Sequence, residues 1–251
     1  MTERTVKSAQ RVLELLEYFA DVQRPATVKE ISQTLGYPQS STSVLLASLR
    51  DAGYFDHDSL TGLYTPNVRL ALMTAWVEEH LYSDQSLMRL MHGVHDACGH
   101  TVSIAKLQGA QVRYLHVLQA TRSGSFKAKI GSLRPLFLSA AGRMLITTRL
   151  EREVPGLLRR ANALETDPSR QRALDEALQD RRQVLGQGWA LSLGSSTPGA
   201  AGLAILLPVP RHHDPMTLGV GGPVDEIRQD QARLVALLNA AVATLRDVAG
   251  R

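Results

Sequence analysis

His92, His95, Cys98 and His100 have the identities of transition-metal ligands and lie within nine residues of one another. His92 and His95, three apart, would share one side of a helix. Cys98, however, continues the apolar series Leu87, Leu90, Met91 and Val94. A helix that buries this series buries the thiol and turns both histidines towards water. No metal and no other cofactor is therefore expected. His212-His213-Asp214 supplies two members of a hydrolytic triad, but the chain has no strained G-x-S-x-G nucleophile turn to complete it. Gly219-Val220-Gly221-Gly222 lacks the helix start and the acidic residue that a dinucleotide requires. No catalytic residue is assigned, and an enzyme is the weaker reading. A different chemistry is offered by Gln39, Ser40, Ser41, Ser43 and Val44. Glutamine can bond adenine twice, serine can bond any base edge, and valine can touch a thymine methyl.

Those five residues need a helix to present them, and the first seventy residues supply its setting. Val6, Ala9, Val12, Leu13, Leu16 and Phe19 recur at helical spacing. Pro25 ends that helix, and Thr27-Val28-Lys29-Glu30 has the form of a capping box for a second one. Ile31 and Leu35 face inward there, and Gly36 suits the left-handed residue that closes it. Pro38 opens a third helix, whose inner face is Thr42, Leu45, Leu46 and Leu49. Two short helices joined by a tight glycine turn form a helix-turn-helix. Tyr54–His57 and Leu63–Thr65 then flank a turn ending in Gly62, which predicts a hairpin. Three helices and a hairpin make a winged helix-turn-helix. Thr27, Gln39, Ser40, Ser41, Ser43, Val44 and Arg50 are its candidate DNA contacts.

The net charge of +4 does not itself argue for nucleic acid. Residues 1–70 hold seven basic and eight acidic side chains, a balance of −1, which leaves 21 basic and 16 acidic for the rest. Phosphate binding depends on where cations sit, so the pattern of residues carries the case. No apolar run approaches the roughly 18 residues needed to span a bilayer. One cysteine excludes an intramolecular disulfide, and a cytoplasmic, membrane-free protein is expected.

Beyond residue 82 the pattern changes to mixed helix and strand. Thr101–Leu107 and Gln111–Leu118 around Gln108-Gly109-Ala110 predict a second hairpin, and Ser125–Ile130 a third strand. Helices are expected over Ala140–Thr148 and within Pro155–Leu185. Strands follow at Ala190–Leu193, Ala201–Val209 and Met216–Gly221, and an amphipathic helix over Pro223–Arg246 closes the chain. The Gly- and Ser-rich segment Leu193–Gly202 is either a surface loop or one that cradles a ligand. Phe137 and Trp189 are candidates for either core or pocket.

The stretch from Leu35 through Pro38, Gln39, Leu45-Leu46 and Leu49 to Gly53-Tyr54 resembles the recognition segment of the isocitrate lyase regulator (IclR) family. The wing ending Thr61-Gly62-Leu63-Tyr64 and a helix from Asn67 to Leu81 are similar too. Gly131–Arg143, Gln187–Ala190 and Pro198–Gly202 continue the likeness. The family's Lys, His and Arg on the recognition helix are Gln39, Ser43 and Val44 here; its acidic pairs are Leu191–Ser196, and its cysteine is Gly202.

The resemblance implies an α+β chain: a winged helix-turn-helix over 1–66, a linker helix over 67–81 and a GAF-like effector domain with a central antiparallel sheet over 82–251. It also implies a ligand-responsive transcriptional regulator, a homodimer or tetramer on double-stranded, palindromic operator DNA. The predicted hairpin, third strand and loop would line its cavity, with Ser103, Tyr114, Phe126, Phe137 and Ser139 on one side. Trp189, Ser192, Gly202, Leu203 and Val220 would complete it. Arg113, Lys127 and Lys129 in nearby strands favour an anionic effector, an aromatic or short-chain carboxylate. A DNA-binding protein without a ligand is the alternative.

Overall fold

The computed structural model describes residues 6–74, 87–121, 128–209 and 213–249, with side-chain placement up to Leu245. The chain divides into two compact units, Met1–Glu79 and His80–Arg251.

In the first unit α1 (Lys7–Val22), β1 (Ala26–Thr27), α2 (Val28–Leu35) and α3 (Gln39–Asp51) precede the hairpin β2 (Phe55–Asp58) and β3 (Leu63–Pro66). Residues 68–74 are helical, and the remainder of the expected linker, to 81, lies outside the described residues. The three strands form one small sheet ordered β1-β3-β2. Leu15, Tyr18, Phe19, Ile31, Leu46, Phe55 and Tyr64 close the core between helices and wing. The buried side of α1 is thus rotated from the expected one. Leu15 and Tyr18 are inside, whereas Val6 and Leu13 are 66% and 61% exposed. Both series have helical spacing, and packing against Phe55 and Tyr64 selects between them. Thr27 caps α2, its hydroxyl accepting from the Glu30 amide at 3.3 Å. The expected return bond is replaced, because Arg24 takes the Glu30 carboxylate. Gly36, at φ 70°, allows the Tyr37 amide to reach the Ser32 carbonyl at 3.0 Å, which turns the chain into α3.

The second unit is a six-stranded antiparallel sheet between two groups of helices. In chain order its elements are α4 (Leu87–Cys98), β4 (Thr101–Gln108), β5 (Gln111–Leu118), β6 (Leu133–Pro135), α5 (Ala140–Ile146), α6 (Val154–Leu164), α7 (Leu174–Gln187), β7 (Ala190–Leu193), β8 (Ala200–Leu206), β9 (Met216–Pro223), α8 (Val224–Gln229) and α9 (Gln231–Ala249). The strand order is β6-β5-β4-β9-β8-β7. Of the strand expected at Ser125–Ile130, residues 125–127 lie outside the described residues and 128–130 pair with no strand. The strand beside β5 is Leu133–Pro135 instead. A three-residue edge strand containing proline is too short to show alternation, which is why the sequence hid it.

The two faces of this sheet differ in side-chain size. Val102 and Ile104 of β4, Leu203 and Ile205 of β8, and Leu218 and Val220 of β9 pack with Met91, Val94 and Cys98 of α4 and with Leu234, Leu238 and Val242 of α9. The residues between them, on the other face, are Thr101, Ser103, Ala200, Gly202, Ala204, Gly219 and Gly221. Antiparallel register aligns these into rungs, Ser192–Gly202–Gly221–Thr101 and Ala190–Ala204–Gly219–Ser103. One face therefore fills the core, and the other leaves room.

Candidate DNA-reading face and ligand cavity

Helix α3 presents a polar, uncharged front. Gln39, Ser40, Ser43 and Val44 are exposed, Ser41 is half-buried, and Thr42 and Leu46 hold the back of the helix in the core. Val44 is 67% exposed on this otherwise polar side. Of the two flanking candidates, the Thr27 hydroxyl is occupied as the α2 cap. The Arg50 guanidinium bonds the neighbouring Asp51 carboxylate through Nε at 2.9 Å and Nη2 at 2.7 Å. The turn of the wing is closed by side-chain bonds. The Asp58 carboxylate accepts from the Leu60 amide at 2.9 Å and the Thr61 hydroxyl at 2.5 Å, and these bonds hold its pKa below the ordinary carboxylate value. Leu60 is 95% exposed at the tip.

In the second unit, the small-residue face of the sheet and the start of α5 enclose a cavity of about 210 Å³. Its floor is the two rungs; Gly202, Gly219 and Gly221 supply space because no side chain rises from them. Ser139 caps α5, accepting from the Gly142 amide at 3.2 Å and donating to the Pro135 carbonyl at 2.7 Å. Across from it, Ser192 donates to the Leu138 carbonyl at 2.8 Å, with Ser195 Oγ 2.9 Å away. This pins the Gly/Ser loop to the sheet, and Arg170 adds a bond to the Ser196 carbonyl at 3.3 Å. The Ser196 hydroxyl, also in the lining, is buried with no hydrogen-bond partner among the described residues. Arg134 supplies the one cationic side chain among the lining residues described. It stands opposite Val112 in the β5–β6 register, which places it on the cavity side with Tyr114. It makes no ion pair among the described residues, and its guanidinium lies 5.4 Å from the Tyr114 ring centroid.

Of the expected effector contacts, Ser103, Tyr114, Ser139, Ser192 and Gly202 are brought together here. Leu203 and Val220 border the cavity, but their side chains lie in the core of the opposite face, so only backbone is available from them. Strand alternation decides this, since each follows a residue that faces the cavity. Trp189, one before the inward Ala190, also packs on the opposite face. Phe137 belongs to the core beneath α5 and borders a separate void of about 50 Å³. Phe126 and Lys127 lie outside the described residues. Arg113 alternates away from Tyr114 and bonds Gln108, and Lys129 is not in the lining. Sequence reasoning missed Arg134, Gly219 and Gly221, while Ser196 and Thr197 belong to the expected Leu193–Gly202 loop. The signal was present as alternation of small with bulky residues along β4, β8 and β9, rather than polar with apolar.

The remaining candidates for chemistry are dispersed. Cys98 is buried. His95 Nε2 lies 2.9 Å from the Gln119 carbonyl, His100 is fully buried, and Asp214 pairs with Lys106 at 3.4 Å. Among the described residues no group of three or more His, Cys, Asp or Glu side chains could hold a metal ion. None of the described helices is long and apolar enough to cross a membrane.

Comparison with known proteins agrees with this division. Residues 8–59 match the IclR helix-turn-helix domain, and residues 83–249 match the bacterial transcriptional regulator IclR C-terminal domain. The chain is 24% identical to the glycerol operon regulatory protein of Streptomyces griseus, over 99% of both chains. It is 22% identical to the HTH-type transcriptional regulator XynR of Escherichia coli, over 91% of this chain and 90% of that one. The crystal structure of an IclR effector domain from Acinetobacter sp. ADP1 superposes with a TM-score of 0.60 at 28% identity, covering 64% of this chain and 93% of that one.

Proposed function

Because this chain belongs to the IclR family of transcriptional regulators, with a DNA-binding helix-turn-helix and a C-terminal regulatory domain, we propose that a small carboxylate bound in the second unit controls its affinity for DNA. The observation that carries this is Arg134, a guanidinium with no ion-pair partner among the described residues, at the wall of a cavity otherwise lined by small and hydroxyl-bearing residues. A carboxylate would give it a charge-assisted, two-pronged bond, and the hydroxyls would orient the rest of the ligand. The volume of about 210 Å³ is below the roughly 300 Å³ at which drug-sized sites begin, so a short-chain or single-ring acid fits best. On the DNA side, Gln39, Ser40, Ser43 and Val44 read base edges. A dimer on a palindromic site follows because one helix contacts too few base pairs for useful discrimination. Such a regulator works in the cytoplasm.

The test is a melting screen of short-chain and single-ring carboxylates against their uncharged amides, followed by gel shifts on the DNA upstream of the gene. A ligand at a hundredfold excess over its Kd adds about 2.7 kcal/mol to the stability of the fold that binds it. Acids that raise the melting temperature should also change DNA affinity, and DNA should change acid affinity by the same factor. DNA binding that no bound acid alters would leave the reading in which the protein binds DNA without a ligand.

A further inference from the structure

The described residues of the first unit include six basic side chains: Lys7, Arg11, Arg24, Lys29, Arg50 and Arg69. Three are already engaged. Arg24 pairs with Glu30, and Arg50 with Asp51. Arg69 donates to the Ala52 carbonyl at 3.0 Å and lies over the Tyr54 ring, 4.8 Å from its centroid. The front of α3 has no charge to offer a phosphate, and the wing from Tyr54 to Pro66 contains no Lys or Arg. Affinity for DNA rests largely on phosphate contacts, and the described cations left to make them are Lys7 and Arg11 of α1 and Lys29 of α2, of which Lys29 stands outside the groove that the other two share.

Lys7 and Arg11 stand one turn apart on α1 and line a groove with Leu35 and Tyr37. Neither has a carboxylate partner among the described residues. Arg11 lies over the Tyr37 ring, 4.9 Å from its centroid, and Tyr37 directly precedes Pro38, the N-cap of α3. Stacking thus fixes a guanidinium beside the entrance to the recognition helix. When the N-terminal end of such a helix enters the major groove, its flanks meet the phosphates of the groove wall. Glu14 lines the same groove, but its carboxylate accepts from Gln10 Nε2 at 2.8 Å, and the groove keeps a net positive charge.

We propose that Lys7 and Arg11 of α1, with Arg11 oriented by the Tyr37 ring, form the clamp that holds the DNA sugar-phosphate backbone, while α3 contributes base reading without charge. The division of labour makes affinity and selectivity separable. The experiment is fluorescence anisotropy of the full chain on two labelled duplexes across a salt series. One duplex carries the DNA upstream of the gene, and the other a scrambled sequence of equal composition. Lys7→Gln and Arg11→Gln should each lower the slope of log K against log salt by about 0.9 per engaged domain, equally on both duplexes. Arg24→Gln and Arg50→Gln should leave the slope unchanged. Tyr37→Leu, which keeps every charge, should weaken binding to both duplexes alike. An unchanged slope in the Lys7→Gln, Arg11→Gln double variant overturns the clamp, as does an equal loss in Arg24→Gln. The Lys7 side chain is exposed and makes no hydrogen bond among the described residues, so its variant decides the matter even if Arg11→Gln melts early. The scrambled duplex suffices for this test, so it stands apart from any outcome with the carboxylate.

Discussion

The guanidinium of Arg134 lies over the ring of Tyr114, 5.4 Å from its centroid, at the wall of the cavity in the regulatory unit. The ring's negative face steadies the cation without neutralising it, as a carboxylate would. Arg134→Gln should therefore weaken the acid found in the melting screen by about 10- to 150-fold, the equivalent of the 1.5–3 kcal/mol typical of a bond to a charged group. The unliganded melting temperature should hardly move, because no ion pair is lost. Calorimetric titration of wild type and variant with that acid checks both statements. Equal affinities would remove Arg134 from the site.

Gly202 separates filling the cavity from disturbing the fold. A Cβ there would meet Ala140 Cβ at 3.6 Å and the Val220 carbonyl at 3.8 Å, ordinary contacts both. Gly202→Ala should fold and bind, whereas Gly202→Leu should fold and fail to show a ligand-induced melting shift. A normal shift in the leucine variant would place the ligand elsewhere.

Gly142 behaves differently. A Cβ on it would stand 2.0 Å from the Leu136 carbonyl oxygen, a backbone atom. Neither partner can rotate away, so Gly142→Ala should cost about 3 kcal/mol or more. In a chain of this size that is a drop of roughly 6 °C or more in melting temperature, measurable by calorimetry.

On α3, Gln39→Ala should cost on the order of 1–3 kcal/mol on the selected sequence and blur preference at one base position. Folding should be unaffected, since Gln39 is exposed while Thr42 and Leu46 hold the core. Binding-site selection with wild type and variant reads this directly. Identical selected sequences would rule out Gln39 as a reader.

His116 makes stability depend on pH. Burial, with a smaller contribution from nearby His92, pushes its pKa below the usual imidazole value, and its buried Nε2 has no hydrogen-bond partner among the described residues. Between its folded pKa and the ordinary value near 6.5, the unfolded chain binds the proton more readily than the native one. Stability contributed by the neutral ring is thus complete above about pH 6.5 and is lost as the pH falls through the lowered folded value. Melting curves over that range should slope less in His116→Leu than in wild type; parallel curves would count against it.

Much of this was readable from the residues. Local rules were enough for the winged helix: a threonine cap at Thr27, a left-handed Gly36, a proline before α3 and a glycine turn at Gly62 each act within a few residues. The two-part division and the hairpin of β4 and β5 were visible in the change of period. The site was less legible. Of the residues expected at the cavity, Ser103, Tyr114, Ser139, Ser192 and Gly202 line it, whereas the side chains of Leu203 and Val220 pack on the opposite face of the sheet.

What the sequence determines alone is what short-range chemistry determines, namely caps, turns, periods and the uncharged front of α3. Which of two helical faces of α1 is buried, and which cation reaches the cavity, are decided by register and packing between distant segments. Arg134 faces the cavity because it pairs with Val112 across the β5–β6 ladder, and a shift of one residue would turn it outward. Arg113 has the same charge and sits in the neighbouring strand, yet alternation points it away. No local pattern distinguishes the two arginines, since a strand's inward side exists only once its partner strand is in place.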